Sequence, residues 1–297
     1  MRVHLLENDH WQAGILSDTG ASLAFGRVRR GGDWVNVFRP TPEADYGNSS
    51  ACASFIMLPW CNRIKGGLLR FDGQEYQLRT TKDDGTARHG DVRGRAWQIE
   101  AAEPERILLT FRSTEFPDVN WPFWFSARME YRLDGRSFLW SLTVRNEDTR
   151  PMPAGFGHHP YFVRTPDVQT QVHCAQYFPL TDFMATGAPQ PIPPELDFRA
   201  LRPLPAAEVN DVLSGRTDAH EAARIRYPAH DLELIMHADA IMEQVLLFAP
   251  AGKQFFAVEP MSNVSDGFNL AAQGVAGNGV FVLAAGEARS ATVTFTV

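Results

Sequence analysis

The chain has 297 residues, 44% of them hydrophobic and 21% charged, and 28 Lys and Arg against 35 Asp and Glu leave a formal net charge of −7. Scattered arginines on an acidic chain argue against nucleic acid or a membrane surface as partner, and no run of about eighteen apolar residues is present to span a bilayer. The length admits two average domains or one large all-β unit; no composition shift marks a linker, so one domain over 1–297 is expected.

Met1 to His10 alternates polar and apolar residues without a signal-peptide core, so the cytoplasm is the expected compartment. Residues 38–54 (FRPTPEADYGNSSACAS) read as an irregular loop of the kind that carries binding work. The apolar run Phe55 to Trp60 reads as a strand that delivers Asn62-Arg63 at its end. Arginine offers forked donors suited to sugar hydroxyls or a carboxylate, although a surface ion pair is its commoner fate. Leu69 and Phe71, then Asp72-Gly73, then Tyr76 and Leu78 spell a hairpin. His89-Gly90 follows, and then Trp97 and the group Trp121, Phe123 and Trp124, whose faces suit a pyranose ring but more often fill a core.

A second hairpin is expected where Met129, Tyr131 and Leu133 precede Asp134-Gly135 and Phe138, Trp140, Leu142 and Val144 follow. His158 and His159 are adjacent, so on a strand only one of them enters any one pocket. Residues 186–205 (TGAPQPIPPELDFRALRPLP) read as another irregular loop, and Ala206 to Leu213 as a short helix in which Asp211 is a cap or turn residue. Glu259 interrupts the apolar run Phe255 to Val258, where burial would raise its pKa and make it a base near neutrality, unless it faces outward or pairs with arginine. Alternation of Ala291, Val293, Phe295 and Val297 closes the chain in a strand. Short strands cut by 23 Gly and 20 Pro predict an all-β fold, a large antiparallel β-sandwich.

Three cysteines, Cys52, Cys61 and Cys174, lack a Cys-x-x-Cys spacing and read as reduced thiols. Only Lys65, Lys82 and Lys253 are available for lysine chemistry, and none sits in a phosphate-binding loop pattern.

Asn62-Arg63-Ile64, His89-Gly90, His159-Pro160-Tyr161-Phe162 and Val258-Glu259-Pro260 occur in this order, and with them the sequence resembles the aldose 1-epimerase (galactose mutarotase-like) family from about Leu16 to the carboxy terminus. The resemblance implies a supersandwich with an open cleft for a hexose, and an isomerase that interconverts α and β anomers without metal or other cofactor. It implies Glu259 as general base, His159 as general acid and His89 as a second histidine near the ring oxygen. Arg63 and Asp211 are implied as substrate-binding residues, with Asn62 shaping the loop; Trp97 joins the candidate substrate-binding residues on its aromatic face alone. Acid and base are expected to face one another across a pyranose-sized gap. Around them, His158 and Pro160 in the histidine motif and Pro260-Met261-Ser262-Asn263 after the carboxylate depart from galactose-specific members, which leaves the sugar open.

The expected partner is a small-molecule sugar, with room for a homodimer. One alternative is a hexose-6-phosphate mutarotase, for which Arg88, Arg93 and Arg95 flank His89. Another is a non-catalytic sugar-binding or regulatory protein, against which the presence of both Glu259 and His159 counts. A hydrolase would want two acting carboxylates, and no second one is evident around Glu259.

Overall fold

Alternating strands assemble into two large antiparallel sheets in the computed structural model, which describes residues 1–81 and 83–297; Lys82 lies outside the described residues. One sheet runs in the order His4–Glu7, Trp11–Leu16, Ser22–Arg30, Ser54–Met57, Gly157–Val163, Phe255–Met261, Gln244–Ala249, Val209–Arg216, Cys174–Phe178 and Gln190–Pro191, with Asp33–Asn36 paired to Ser22–Arg30. The other runs Gln98–Glu103, Arg106–Arg112, Phe125–Asp134, Ser137–Asn146, Ala288–Thr296, Leu232–Ala238, Glu221–Tyr227, Gln169–Val172 and Arg202–Pro203.

Both expected hairpins form. Phe125–Asp134 pairs with Ser137–Asn146 from Phe125 opposite Asn146 to Asp134 opposite Ser137, with Gly135 at φ 55° in the turn. Period two then sends Met129, Tyr131, Leu133, Phe138, Trp140, Leu142 and Val144 into the core together. Leu68–Phe71 and Gln74–Gln77 are joined by Asp72 and Gly73, both at positive φ, as a tight two-residue hairpin requires.

The core lies between the sheets. Trp140 of one sheet packs 5.3 Å from the His158 ring of the other, and Phe295 sits 4.6 Å from Trp140 and 6.1 Å from Phe162, centroid to centroid. This is a sandwich in which the inner face of the longer sheet is spent on the core, and the outer face of its middle strands is available for a site.

The helix expected over 206–213 does not form: Val209–Arg216 is a strand, paired on one side with Gln244–Ala249 and on the other with Cys174–Phe178. Val209, Val212 and Leu213 are buried, and a place between two strands decides what local pattern leaves ambiguous. Among the described residues the one α-helix is Gly267–Ala272. Segment 38–54 holds the short 3-10 turns Glu43–Asp45 and Ser49–Ala51, and segment 186–205 holds Pro194–Leu196 and only two-residue strand pairings. All three cysteines are free and buried. No helix among the described residues is long and apolar enough to cross a membrane.

Candidate active site

Sheet register builds the site. Gly157 lies opposite Met261 and Tyr161 opposite Ala257, so His159 and Glu259 are cross-strand partners on one face of neighbouring strands. The same row continues to Phe55 on one side and to Leu246 and Val212 on the other. An imidazole and a carboxylate therefore sit in the middle of an apolar row, in contact: His159 Nε2 is 3.0 Å from Glu259 Oε1. The expected pyranose-sized gap between them is corrected by this contact. Opposite positions on adjacent antiparallel strands bring Cβ atoms to within about 5 Å, which leaves no space for a ring between the side chains.

Above the pair opens a pocket of about 230 Å³ lined by Asn62, Arg63, His89, His159 and Glu259, together with Ser50, Phe55, Arg88, Arg93, Tyr161, Asn210, Leu246 and Phe248. That is below the roughly 300–1,000 Å³ of pockets for drug-sized ligands and suits a single sugar ring. Tyr161, two residues after His159, shares its face, and its hydroxyl lies 3.5 Å from His159 Nε2.

Two left-handed residues shape the adjoining wall. Asn62 (φ 53°) accepts the His89 N–H on its carbonyl at 2.6 Å, and His89 itself stands at φ 62°. Gly90 follows at φ 71°, with its backbone so close to Leu58 that a Cβ would lie 2.1 Å from the Leu58 carbonyl oxygen; only glycine fits. The turn sets the His89 ring edge-on to His159 at 5.4 Å and places its Nδ1 3.2 Å from Met57 Sδ.

Arg63 lies directly across from Arg88 on a short ribbon, a like-charge pair that needs an anion. Asp84 supplies it, accepting from Arg63 Nε at 3.0 Å and lying 3.5 Å from Arg88 Nη1, while Asp83 takes Arg88 Nη2 at 2.8 Å. Burial opposes ionisation of Asp84, but hydrogen bonds from Thr81, Thr86 and Arg63 hold its carboxyl below the ordinary range. Arg63 Nη1 also donates to Asn62 Oδ1 at 3.0 Å, so Asn62 fixes both the turn and the guanidinium.

Burial governs the titration of the central groups. It pushes Glu259 well above the usual carboxylate value, against the field of Arg63, and His159 well below the usual imidazole value, with Arg93 acting in the same direction. Burial, then His159, lowers His89. Such a pair is most stable with one proton shared between carboxyl and imidazole, and it titrates as a unit. Glu259 Oε2 has no hydrogen-bond partner among the described residues.

Two expected substrate contacts fall elsewhere. Asn210 lines the pocket, whereas Asp211 is the next residue along the strand and points to the other face; burial raises its pKa there. Asn210 pairs with Phe248 and Asp211 with Leu247, and only Phe248 lines the pocket. Trp97 is buried in the core, 5.5 Å from the Phe111 ring, with its indole N–H donating to the Val92 carbonyl at 3.4 Å. Trp121 and Phe123 are core residues as well, and Trp124 is exposed. The sequence reading passed over Ser50, Tyr161 and Asn210; strand alternation from His159 was the signal for Tyr161. Among the described residues no group of three or more His, Cys, Asp or Glu could hold a metal ion.

Comparison with known proteins agrees with this architecture. The uncharacterized protein YphB of Escherichia coli K12 is 24% identical over all of this chain and 99% of its own length. A galactose mutarotase-like protein from Clostridium acetobutylicum superposes with a TM-score of 0.85 at 14% identity, covering 98% of this chain and 93% of that one. The GalM/aldose epimerase homologue from C. elegans gives 0.85 at 16% identity over 99% and 98%. These two likenesses are of fold. The sequence model of the aldose 1-epimerase family matches residues 2–296, and the chain belongs to that family.

Proposed function

We propose that the chain is a mutarotase: it interconverts the α and β anomers of a hexose in carbohydrate metabolism, using Glu259 and His159 as base and acid. The observation that carries this reading is the buried contact of 3.0 Å between the two groups at the floor of a pocket sized for one sugar ring. Mutarotation takes a proton from the anomeric hydroxyl, returns one to the ring oxygen and breaks the bond between C1 and that oxygen. The aldehyde then turns about C1–C2 and closes on the other face by the reverse transfers. Both oxygens are bonded to C1, so a base and an acid that are neighbours on one sheet face suit them better than groups on opposite walls.

Proton bookkeeping favours the same arrangement. Glu259 takes the hydroxyl proton while His159 gives one to the ring oxygen, so the pair ends with the number of protons it began with. Direct contact between Oε1 and Nε2 then lets the proton return from carboxyl to imidazole without a solvent molecule. His89 and Arg63 are proposed to hold the ring oxygen and hydroxyls, and the chemistry asks for no metal or nicotinamide. The cytoplasm is the proposed site of action, on the free state of the three cysteines.

The test is anomer exchange by NMR or polarimetry for a panel of pure α-aldoses. Each positioned acid or base contributes about 10²- to 10⁴-fold, so acceleration well above buffer is expected for at least one sugar. Failure to accelerate any member of the panel would end the proposal.

A further inference from the structure

Arg63 holds one nitrogen in reserve. Its Nε donates to Asp84 at 3.0 Å and its Nη1 to Asn62 Oδ1 at 3.0 Å, while Nη2 has no partner among the described residues. A guanidinium is planar, so bonds at its edges fix its place within its own plane and do little to stop it tipping out of that plane. The face is covered by Phe183, whose ring centroid lies 4.6 Å from Arg63 Cζ. A cation is drawn to the negative face of such a ring, and the ring blocks tipping toward its own side.

Local structure alone argues against a phenylalanine at 183. Leu180–Thr181 pairs with Met184–Ala185, so Asp182 and Phe183 form a two-residue hairpin turn, at φ 48° and 66°. Such turns favour glycine, asparagine or aspartate, and a bulky side chain in the left-handed region crowds its own backbone. Asp182 meets that preference and Phe183 does not. Burial offers little compensation, since the ring is 45% exposed although Met184 beside it is buried.

The turn is also tied to the arginine it covers. The hydroxyl of the buried Ser265 donates to the Phe183 carbonyl at 2.6 Å, and the N–H of Asp266 donates to the Arg63 carbonyl at 2.7 Å. Two consecutive residues therefore anchor both backbones, on the segment that leaves the strand carrying Glu259. An aromatic ring in an unfavourable conformation, half in solvent and locked to the backbone of its partner, has the marks of a residue kept for its contact.

We propose that Phe183 is a positioning residue for the sugar-binding arginine: its ring fixes the tilt of the Arg63 guanidinium so that Nη2 is presented to a sugar hydroxyl. The proposal deepens the mutarotase reading and rests on it only for a sugar as the ligand. Phe183 then acts through Arg63 and need not touch the substrate.

The experiment measures anomer exchange of D-glucose and D-galactose, sugar affinity by calorimetry and the urea midpoint. The proteins are the wild type, Phe183→Gly, Phe183→Asn, Phe183→Tyr, Arg63→Gln, and Phe183→Gly combined with Arg63→Gln. Glycine and asparagine both suit the left-handed backbone, so the urea midpoint is expected to stay at or above the wild-type value, and the asparagine variant carries the test should the glycine variant not fold. Both should raise KM by about 3- to 30-fold, the worth of a cation on an aromatic face, with kcat little changed because Arg63 binds the sugar and moves no proton. Phe183→Tyr keeps the face and should hold KM within about 2-fold of the wild type. In the Arg63→Gln background, loss of the ring should change affinity by less than about 2-fold, since the guanidinium it acts through is gone. KM unchanged in both Phe183→Gly and Phe183→Asn, or an effect of equal size with and without Arg63, overturns the positioning role and leaves mutarotation standing. No exchange by the wild type, with an affinity that depends on Phe183 only when Arg63 is present, overturns mutarotation and supports the positioning role. Neither exchange nor binding overturns both.

Discussion

His158 and His159 are consecutive residues with opposite fates, and the alternation of a strand is the whole cause. His159 meets Glu259 in the pocket; His158 is fully buried against Trp140, with neither ring nitrogen bonded among the described residues. Burial lowers the His158 pKa to about 3, against 6.5 for an ordinary histidine. The unfolded chain therefore takes up the proton first. Titration of His158 costs the fold nothing above about pH 6.5, and stability is lost as pH falls from there toward about 3, by as much as about 5 kcal/mol when complete. Replacing His158 by Leu removes that titration, so the urea midpoint should fall less between pH 7 and pH 4 than it does in the wild type. An equal fall in both proteins would contradict this account of the buried imidazole.

Strands and their register decide what the pocket can touch. Asn210 and Asp211 differ by one step along Val209–Arg216, and that step separates pocket from far side. Asn210→Ala should raise KM for the sugar by about 3- to 10-fold, the value of one neutral hydrogen bond, while Asp211→Asn changes it by less than about 2-fold. Steady-state kinetics of the two variants give the answer, and the reverse order would mean that the strand is displaced by one residue. The same strand shows where sequence reading ran out. Hairpins such as 129–144 were legible because the turn and both alternating runs lie within a few residues of each other. The helix expected over 206–213 gives way to the strand Val209–Arg216 because the partners that fix it, Gln244–Ala249 and Cys174–Phe178, are distant in sequence, and without them neither state nor facing can be read. His159, His89, Arg63, Asn62 and Glu259 were found through motifs, which name residues without giving their separation; the contact between acid and base came only with the register. Trp97 was named for its chemistry, and its core position follows from packing that no local signal announces.

At the scale of the molecule, the two strands that carry the pair, Gly157–Val163 and Phe255–Met261, stand at the middle of the longer sheet, flanked on both sides by further strands. Their inner faces are locked into the core shared with the second sheet, so the outer face is presented on a backbone with little freedom to move. Residues about a hundred positions apart are thereby held in hydrogen-bonding contact before any sugar arrives, and the proposed reaction depends on that preorganisation more than on any single functional group. The decisive measurement is anomer exchange and sugar affinity for Glu259→Gln, whose amide keeps the shape of the side chain but cannot accept the anomeric proton. A fall in exchange of about 10²- to 10⁴-fold, with sugar affinity retained within a few fold, is the predicted result. Exchange at the wild-type rate would contradict it.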